Sequence, residues 1–536
     1  MEQSLKEKIQ NKFLDSKVVL GVFFVSCPLA QARETLAWLK EEAGFIFLVD
    51  LTALDHGPDA SQRFEVKYNL LNLEEHLRIL LGCSFDTSNK SSLPDIRDLW
   101  TNTDWPSREL WDMFGLSYAG QNCKRVFNSE QHPGHPLLKD FQAPQLEDLL
   151  VEECEEDLLS QDSVWSKGEK TYWQDVKASP RGASLIGLKY FEKEKLIQSA
   201  RVEIGYSHKG IEKLCENTPY HLMTRWTSKL NSLCSETINT TWLRSVEGLC
   251  GLEVPEKSQA MRMVVLELDR IKSHLSALRH AIREAGLSDL TDLLTMQIEK
   301  LFQLSFSLTK RRLNSEFVCL GGVRNDYPHG WRTDCLKVLK QADKCIQEVH
   351  RQLIRSHQWM ERTKSAHITP YEALDWGLSG PSLRACGVNF DLRKVDPIYF
   401  YGDVDFQVPL GINGDSYDRF LVRIEEVFQS IAIVNQILDH IPGGDFYDQE
   451  QVDSLKDLSG EITVPAGQIY TALEAPNGEL GVGLVANGSG LAERVRFRTP
   501  SFYCAQAIEA IFSNLHWDQA WMTVHSFNLD HSEVDK

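Results

Sequence analysis

The chain has 536 residues, of which 42% are hydrophobic and 25% are charged, and its formal net charge at pH 7 is −19. This length exceeds the size at which a single hydrophobic core keeps growing, so two or more domains are expected, and the composition is that of a folded globular protein. The strong negative charge argues against a nucleic-acid-binding protein.

The N-terminal residues do not have the pattern of a secretory signal. Residues 1–8 are charged and lack an apolar segment and a small-residue cleavage site, so we expect the chain to stay in the cytoplasm. The longest apolar run, residues 18–27, is shorter than the roughly 20 residues that span a bilayer. Any membrane association should therefore be peripheral.

The 12 cysteines are scattered singly, without a Cys-x-x-Cys pair. This spacing excludes the common zinc and iron-sulfur motifs. In a reducing compartment most of these cysteines are expected to be small residues of the hydrophobic core.

Residues 1–145 predict a small α/β domain with alternating strands and helices on one sheet. The segment at 73–83 is either a return strand or a short helix. The other predicted elements are a buried strand at 18–24, a helix at 29–42 and strands at 45–52 and 63–71.

Two motifs follow in this domain. Residues 105–115 predict a helix, because Pro106 fits a first helical turn, Leu110 and Phe114 share a face, and Gly115 ends it. Residues 134–141 read Gly-His-Pro-Leu-Leu-Lys-Asp-Phe. From the residues alone, the His and Asp side chains of these motifs are interpreted as parts of a structural loop.

An acidic stretch separates the two halves of the chain. Residues 146–162 contain eight acidic residues and no basic one. A run of like charges cannot pack into a hydrophobic core and is typical of a linker. We therefore predict a linker at 146–176 and a second domain at 177–536.

Residues 178–187 are expected to open the first strands of the second domain, and a strand-to-helix turn follows at residues 201–214. Val202, Ile204 and Tyr206 alternate as in a strand, and helical spacing starts after Gly210. His208 and Lys209 lie on the turn between them. They can either face an anion or a cluster at the start of the helix or belong to a solvated turn.

Four long amphipathic segments then predict a helical bundle. They are followed by strand and turn residues at 462–485, which predict a small peripheral antiparallel sheet. The overall fold class is therefore α+β, with a small N-terminal α/β domain and a larger helical-bundle domain. The predicted long helices lie at 258–286, 289–314, 336–363 and 421–441.

These motifs resemble two components of respiratory complex I, the NADH:quinone oxidoreductase. Residues 45–141 resemble its C-type subunit, with Ser107 and Leu138 departing from the Glu and Arg of that pattern. Residues 208–214 resemble a segment shared by its D-type subunit and the large subunit of energy-converting nickel-iron hydrogenases. The whole chain is similar to the C/D fusion subunit. Further matches to the D-type subunit lie at 246–255, 268–275, 377–384, 391–394, 409–419, 474–479 and 533–536.

The hydrogenase resemblance implies where a nickel-iron centre would have been. Its four cysteine positions fall on Asn231, Cys234, Asp530 and Glu533. One thiolate out of four does not hold such a centre, so no metal is expected. A site of hard ligands at these four positions is the alternative.

In complex I the same cavity, without metal, takes the quinone headgroup. The resemblance implies that Ser232, Glu284, Glu533 and a turn around Pro180 line it here. Ser232 stands where the family has a tyrosine, and the Pro180 turn replaces a His-Pro turn. A serine hydroxyl is a far weaker proton donor than a phenol.

The resemblance also places Lys209 and His274 beside the terminal iron-sulfur cluster of a neighbouring protein in the complex. A cation there raises the potential of the cluster, and a histidine couples its reduction to a proton. From spacing alone, His274 is a histidine packed in the bundle. Of these residues, His274 and Glu284 are the predicted catalytic ones.

The resemblance implies a peripheral-arm subunit on the cytoplasmic face of the inner membrane, bound to iron-sulfur and membrane subunits. We expect no cofactor on this chain alone and a quinone at a shared site. NADH would bind another subunit, because no Gly-x-Gly-x-x-Gly turn follows a strand here. The alternative function is a non-catalytic scaffold in a hydrogenase-related ion-translocating membrane complex.

Overall fold

The structure is a computed structural model of the whole chain. At 171–175 and 187–193 it describes the backbone alone. The described residues are 5–13, 16–86, 93–118, 120, 124–143, 171–175, 187–193, 195–457 and 460–536.

The N-terminal half is built around a five-stranded sheet in the order β1-β2-β5-β4-β3, within the described residues. Strands β2 and β5 run parallel, and the other neighbours are antiparallel. The elements are α1 (Leu5–Lys12), β1 (Lys17–Val19), β2 (Val22–Ser26), α2 (Ala32–Glu41), β3 (Phe47–Asp55), β4 (Phe64–Asn72), β5 (Leu77–Phe85) and α3 (Asp104–Phe114), with short 3-10 helices at Leu29–Gln31 and Thr101–Thr103.

The single strand predicted at 18–24 is wrong, because the chain reverses within it. Leu20 and Gly21 have φ angles of 46° and 77°, as in the tight turn of a two-residue hairpin between β1 and β2. The segment at 73–83 is a strand, β5. Helix α3 ends at Gly115 with a φ of 69°, as predicted.

The C-terminal half begins with a three-stranded antiparallel sheet. Its first strand lies inside the stretch predicted as a linker. The domain boundaries stay a prediction, because 144–170 and 176 lie outside the described residues. The opening elements are β6 (Thr171–Asp175), β7 (Gly187–Lys193), β8 (Leu196–Glu203), α4 (Ile211–Glu216), a 3-10 helix at Tyr220–Leu222, α5 (Thr224–Thr227) and α6 (Ser235–Cys250).

The predicted bundle is confirmed. The segment predicted at 336–363 is split into two helices, because the Ser356 side chain caps the second one by accepting the N–H of Trp359. The bundle elements are α7 (Glu256–Glu284), α8 (Ser288–Thr309), β9 (Val318–Cys319), β10 (Gly322–Val323), α9 (Trp331–Leu353), α10 (His357–Thr363), α11 (Pro370–Asp375), α12 (Gly380–Ala385), α13 (Leu392–Val395), α14 (Ser416–Asp439) and α15 (Gln449–Ser454).

A second three-stranded antiparallel sheet and three helices complete the chain. This sheet packs on the N-terminal sheet, where Val22, Phe24 and Leu80 contact Tyr470. No helix in the described part of the chain is both long and apolar enough to cross a membrane. The closing elements are β11 (Gly467–Ala475), β12 (Gly478–Ala486), β13 (Ala492–Arg498), α16 (Pro500–Ile511), α17 (Trp517–Phe527) and α18 (His531–Val534).

The two halves share a hydrophobic core, and buried charges pair across their contact. Arg496 on β13 donates to the Asp50 carboxylate at 2.8 Å and to Glu109 Oε2 at 3.0 Å. Burial alone would raise the pKa of Asp50, but the charges of Arg496 and Lys536 and the hydrogen bonds from Arg496 and Tyr503 together lower it to about 2. Arg496, in the C-terminal half, therefore neutralises the charges of two buried carboxylates in the N-terminal half.

Replacing Arg496 with methionine should lower the free energy of unfolding by about 3–5 kcal/mol, because two buried carboxylates lose their cation. Calorimetric melting of the full chain measures this. Arg332→Met is the control, because Arg332 forms a surface pair with Asp439 and is 53% exposed; it should cost less than about 1 kcal/mol. Equal melting temperatures for both variants would contradict the role of the network.

Candidate functional site

The predicted site is organised by residues 528–536, here called the C-terminal segment. It begins where Asn528 ends α17 with a φ of 53°. The Asp530 side chain then caps α18 by accepting the N–H groups of Ser532 and Glu533. From His531 onward every residue of the segment is buried, so it runs through the interior of the protein.

Asp535 holds the turn that precedes α4. Its carboxylate accepts the N–H of Gly205 at 2.8 Å and of Ser207 at 2.6 Å. His208 Nδ1 lies 2.8 Å from the Asp535 carbonyl oxygen, and its ring stacks on Phe127 at 5.0 Å. Gly205 has a φ of 103°, and a Cβ there would lie 2.5 Å from the Phe127 carbonyl oxygen. Only glycine fits this junction of the two halves.

Lys209 lies on the exposed side of the same turn. Its ammonium group donates to Ser532 Oγ at 3.2 Å. The predicted strand-to-helix turn is therefore present, and it carries a surface cation held against the C-terminal segment.

The four positions that the hydrogenase resemblance implies for nickel ligands lie together and hydrogen-bond to one another. Asn231 Nδ2 donates to Glu533 Oε1 at 2.8 Å, and Asn231 Oδ1 accepts the N–H of Cys234 at 3.0 Å. Burial raises the pKa of the Cys234 thiol well above its usual range. No group of three or more metal-binding side chains occurs in the described part of the chain. These residues do not fit a thiolate-held metal centre.

Glu533 is the most strongly perturbed carboxyl of this cluster. Burial and the nearby charge of Asp530 raise its pKa to about 7, although Asn231 and Ser501 donate hydrogen bonds to it at 2.8 and 2.5 Å. Burial likewise raises the pKa of Asp535 to about 6. Both carboxyl groups therefore exchange protons near neutral pH.

His274 lies in the middle of α7 and is completely buried. Its Nε2 lies 2.9 Å from Glu426 Oε2, and its Nδ1 lies 3.3 Å from Arg423 Nη1. Burial lowers its pKa to about 4, despite the opposing charge of Glu426. The neutral ring therefore donates its Nε2 proton to Glu426 and leaves Nδ1 as the acceptor.

His274 and Lys209 are connected through the C-terminal segment and α17. Arg423, which contacts His274, donates to the carbonyl oxygens of Ser526 and Phe527 at 3.1 and 3.0 Å. Asn528 Nδ2 donates to the hydroxyl of Ser273 at 3.0 Å. The segment that bears Ser532, the partner of Lys209, thus also contacts α7 next to His274.

The structure does not bring Glu284 to this cluster. Cys234 contacts the carbonyl oxygen of Asp269 on α7, whereas Glu284 is the exposed last residue of that helix, about 22 Å farther along its axis. Ser232 is partly buried and accepts the N–H of Asn314 through its carbonyl oxygen. Pro180 lies outside the described residues.

Open cavities occur elsewhere in the protein. One of about 650 Å³ lies beside α5 and β9, and one of about 1040 Å³ lies between α6 and α15. Neither is lined by a residue of the predicted site. In the cluster around Glu533, the carboxylate instead accepts hydrogen bonds from Asn231 and Ser501.

Sequence reasoning missed Asp535 as the residue that fixes the turn, and it missed Ser501 and Arg423. Asp535 lies within the family match at 533–536, so a signal for its importance was present. Its partner Gly205 is 330 residues away, and no local pattern points to that contact.

Comparison with known proteins agrees with this architecture. The profile of the 49 kDa subunit of respiratory-chain NADH dehydrogenase matches residues 289–536, and that of the 30 kDa subunit matches residues 25–147. The C/D subunit of NADH-quinone oxidoreductase from Bdellovibrio bacteriovorus is 33% identical over 99% of this chain and 98% of its own length. The chain belongs to this C/D family.

Other members of the C/D family are similarly related over nearly the whole chain. The protein from Aquifex aeolicus is 31% identical over 94% of this chain and 92% of its own length. The one from Acidiphilium cryptum is 30% identical over 92% of this chain and 89% of its own length. The predicted fusion of a C-like and a D-like half is confirmed.

The raised pKa of Glu533 predicts that the stability of this C/D family member depends on pH. Its pKa of about 7 exceeds the usual 4.5, so its stabilising contribution is complete below pH 4.5 and is lost as pH rises to about 7. Glu533→Gln should therefore gain stability relative to the unsubstituted chain over this window, by about 1–3 kcal/mol at pH 8.

Melting temperatures of the two chains between pH 4.5 and 8.5 measure this difference. Glu361→Gln is the control, because its side chain is 72% exposed. A difference for Glu533→Gln that stays constant over the whole range would contradict a raised pKa at Glu533.

Proposed function

We propose that this chain helps to form the quinone-reduction cavity of a complex I-type NADH:quinone oxidoreductase, next to the terminal iron-sulfur cluster of a neighbouring protein in the complex. Its membership in the C/D family supports a role in the peripheral arm of such a complex. The observation that carries the finer proposal is that the Lys209 turn and Asn231 both contact the C-terminal segment, the turn at Ser532 and Asp535 and Asn231 at Glu533.

The proposed role of Lys209 is electrostatic. Reduction of a cluster adds negative charge, and a cation held at the surface by Ser532 stabilises that reduced state. The backbone of the turn is held in place, because the Asp535 carboxylate accepts the N–H groups of Gly205 and Ser207. This fixes the point from which the Lys209 side chain extends. Lys209 thus raises the potential of a cluster bound against the turn.

Reduction of a quinone to a quinol takes two electrons and two protons. Within this chain, Glu533 and Asp535 have pKa values of about 7 and 6, so they hold or release protons at physiological pH. His274 is neutral and enclosed, and negative charge nearby would raise its pKa. We assign it to positioning and to coupling electron arrival to proton uptake.

The proposed partners are the iron-sulfur subunits and the membrane subunits of the same assembly, and the quinone binds at a shared surface. The proposed location is the cytoplasmic face of the inner membrane, where the chain is held peripherally. The proposal assigns no bound cofactor to this chain itself.

The second candidate function is a scaffold without chemistry of its own. It is favoured by the hydrogen bond between Asn231 and Glu533, which joins two of the positions that the hydrogenase resemblance implies for nickel ligands. The remote position of Glu284 favours it as well, because that residue lies outside the cluster.

The Lys209 assignment predicts a change in cluster potential. In the purified complex, Lys209→Ala should lower the midpoint potential of the terminal cluster by roughly tens of millivolts, because a nearby positive charge is lost. Lys209→Arg should restore it. Redox titration followed by electron paramagnetic resonance measures both variants. Identical potentials in all three proteins would contradict contact of this turn with the cluster.

Variants at the two predicted catalytic positions distinguish the candidate functions. His274→Gln keeps a donor toward Glu426 and an acceptor toward Arg423 but cannot take up a proton. It should lower NADH-driven quinone reduction about tenfold, with assembly intact. Glu284→Gln, at the exposed end of α7, tests the second position. Full activity in both variants would favour the scaffold.

A further inference from the structure

Two cysteines of the N-terminal half face each other across neighbouring strands. Cys27 follows the last residue of β2, and Cys83 lies in β5. The two strands are parallel, with Ser26 opposite Gly82, and the N–H of Cys27 continues the ladder by donating to the Gly82 carbonyl oxygen at 3.1 Å. Their sulfur atoms are 3.4 Å apart.

This arrangement is close to the geometry of a disulfide. Residues side by side on adjacent strands have Cα atoms about 5 Å apart, within the range of about 4.4–6.8 Å found for disulfides. The sulfur atoms need to approach by only about 1.4 Å to reach bonding distance. Side-chain rotation supplies this movement, since the strand ladder already fixes the backbone.

The two thiols differ in environment. Cys27 is partly exposed, whereas Cys83 is buried in the core shared with α2. A hydrogen bond from the Cys83 thiol lowers the pKa of Cys27, and Thr35 contributes to the same effect. The hydrogen bond with Cys27 and burial raise the pKa of Cys83. Cys27 is therefore the more readily ionised thiol of the pair.

We propose that Cys27 and Cys83 form a peroxide-sensitive dithiol that closes to an intramolecular disulfide. The Cys27 thiolate attacks one oxygen of hydrogen peroxide, the O–O bond breaks, and after protonation one water leaves and a sulfenic acid remains. The Cys83 sulfur then attacks the Cys27 sulfur, its proton leaves with the hydroxyl group as a second water, and the S–S bond forms. Two thiols are oxidised and one peroxide is reduced to two waters.

Other partly exposed cysteines provide a contrast. Cys250 and Cys319 are also accessible, but burial raises the pKa of each to about 11. Their thiolate fraction at neutral pH is therefore small, so among the cysteines of the described residues oxidation should be selective for Cys27. The resulting bridge would tie the end of β2 to β5, so that α2, β3 and β4 lie within the closed loop.

The test uses the full chain treated with an equimolar amount of hydrogen peroxide at pH 7. We expect the intact mass to fall by two hydrogens, a Cys27–Cys83 cross-linked peptide in the non-reduced digest, and full reversal by dithiothreitol. In Cys83→Ser, oxidation should stop at a sulfenic acid on Cys27 that dimedone traps. Cys27→Ser should form no disulfide, and Cys250→Ser is the matched control that should behave as the unsubstituted chain.

A fully reduced Cys27–Cys83 pair after this treatment would overturn the proposal. Oxidation that begins at Cys250 or Cys319 would also overturn it, as would the absence of a dimedone adduct on Cys27 in Cys83→Ser. The proposal does not depend on the quinone or cluster assignments, because both cysteines lie in the N-terminal half.

Discussion

The guanidinium group of Arg496 is the contact on which the arrangement of the two halves depends. It lies between the carboxylates of Asp50 and Glu109, and Glu212 lies 3.5 Å away. Lys536 adds a second cation 3.3 Å from Glu109. Buried charges are tolerated only when they are paired, so β3, α3, α4, β13 and the C-terminal segment fit together in one arrangement. That arrangement fixes the turn with His208 and Lys209.

A second buried charge network fixes the bundle around His274. Arg384 donates to Glu426 at 2.7 Å and to Glu474 at 2.8 Å, so three elements meet at one guanidinium group. Burial opposes ionisation of Glu426, but the charges of Arg384 and Arg270 and the hydrogen bond from His274 together hold the pKa of this carboxyl well below its usual range. Glu426 therefore stays an anion and orients the neutral His274 ring. The carboxyls with raised pKa values, Glu533 and Asp535, lie in the C-terminal segment, whose Lys536 pairs with Glu109 of the Arg496 network.

Local patterns predicted those elements whose periodicity is strong, including α7, α8, α14 and the stop of α3 at Gly115. They also placed the Lys209 turn. They did not predict the contact of Asp535 with Gly205 or the hairpin at Leu20, because the first joins residues far apart and the second needs an unusual φ at a leucine. Glu284 was predicted from the resemblance alone. Each residue by which such a match is shifted along a helix moves the predicted position by about 1.5 Å along the axis.

The motif at 208–214, which carried part of the family resemblance, makes contacts both within the C-terminal half and with the N-terminal half. Glu212 accepts the Arg494 guanidinium at 2.7 Å and the N–H of Phe497 at 3.0 Å, and Lys213 donates to the Leu138 carbonyl oxygen at 2.8 Å. At the four positions that the resemblance implies for nickel ligands, the Asn231 amide donates to the Glu533 carboxylate, and Asp530 accepts the backbone N–H of Glu533. Such groups cannot hold a soft metal, but enclosed carboxyls bind protons near neutral pH. The Glu533 carboxyl, with a pKa of about 7, therefore binds a proton near neutral pH, in the same segment that contacts the turn with Lys209.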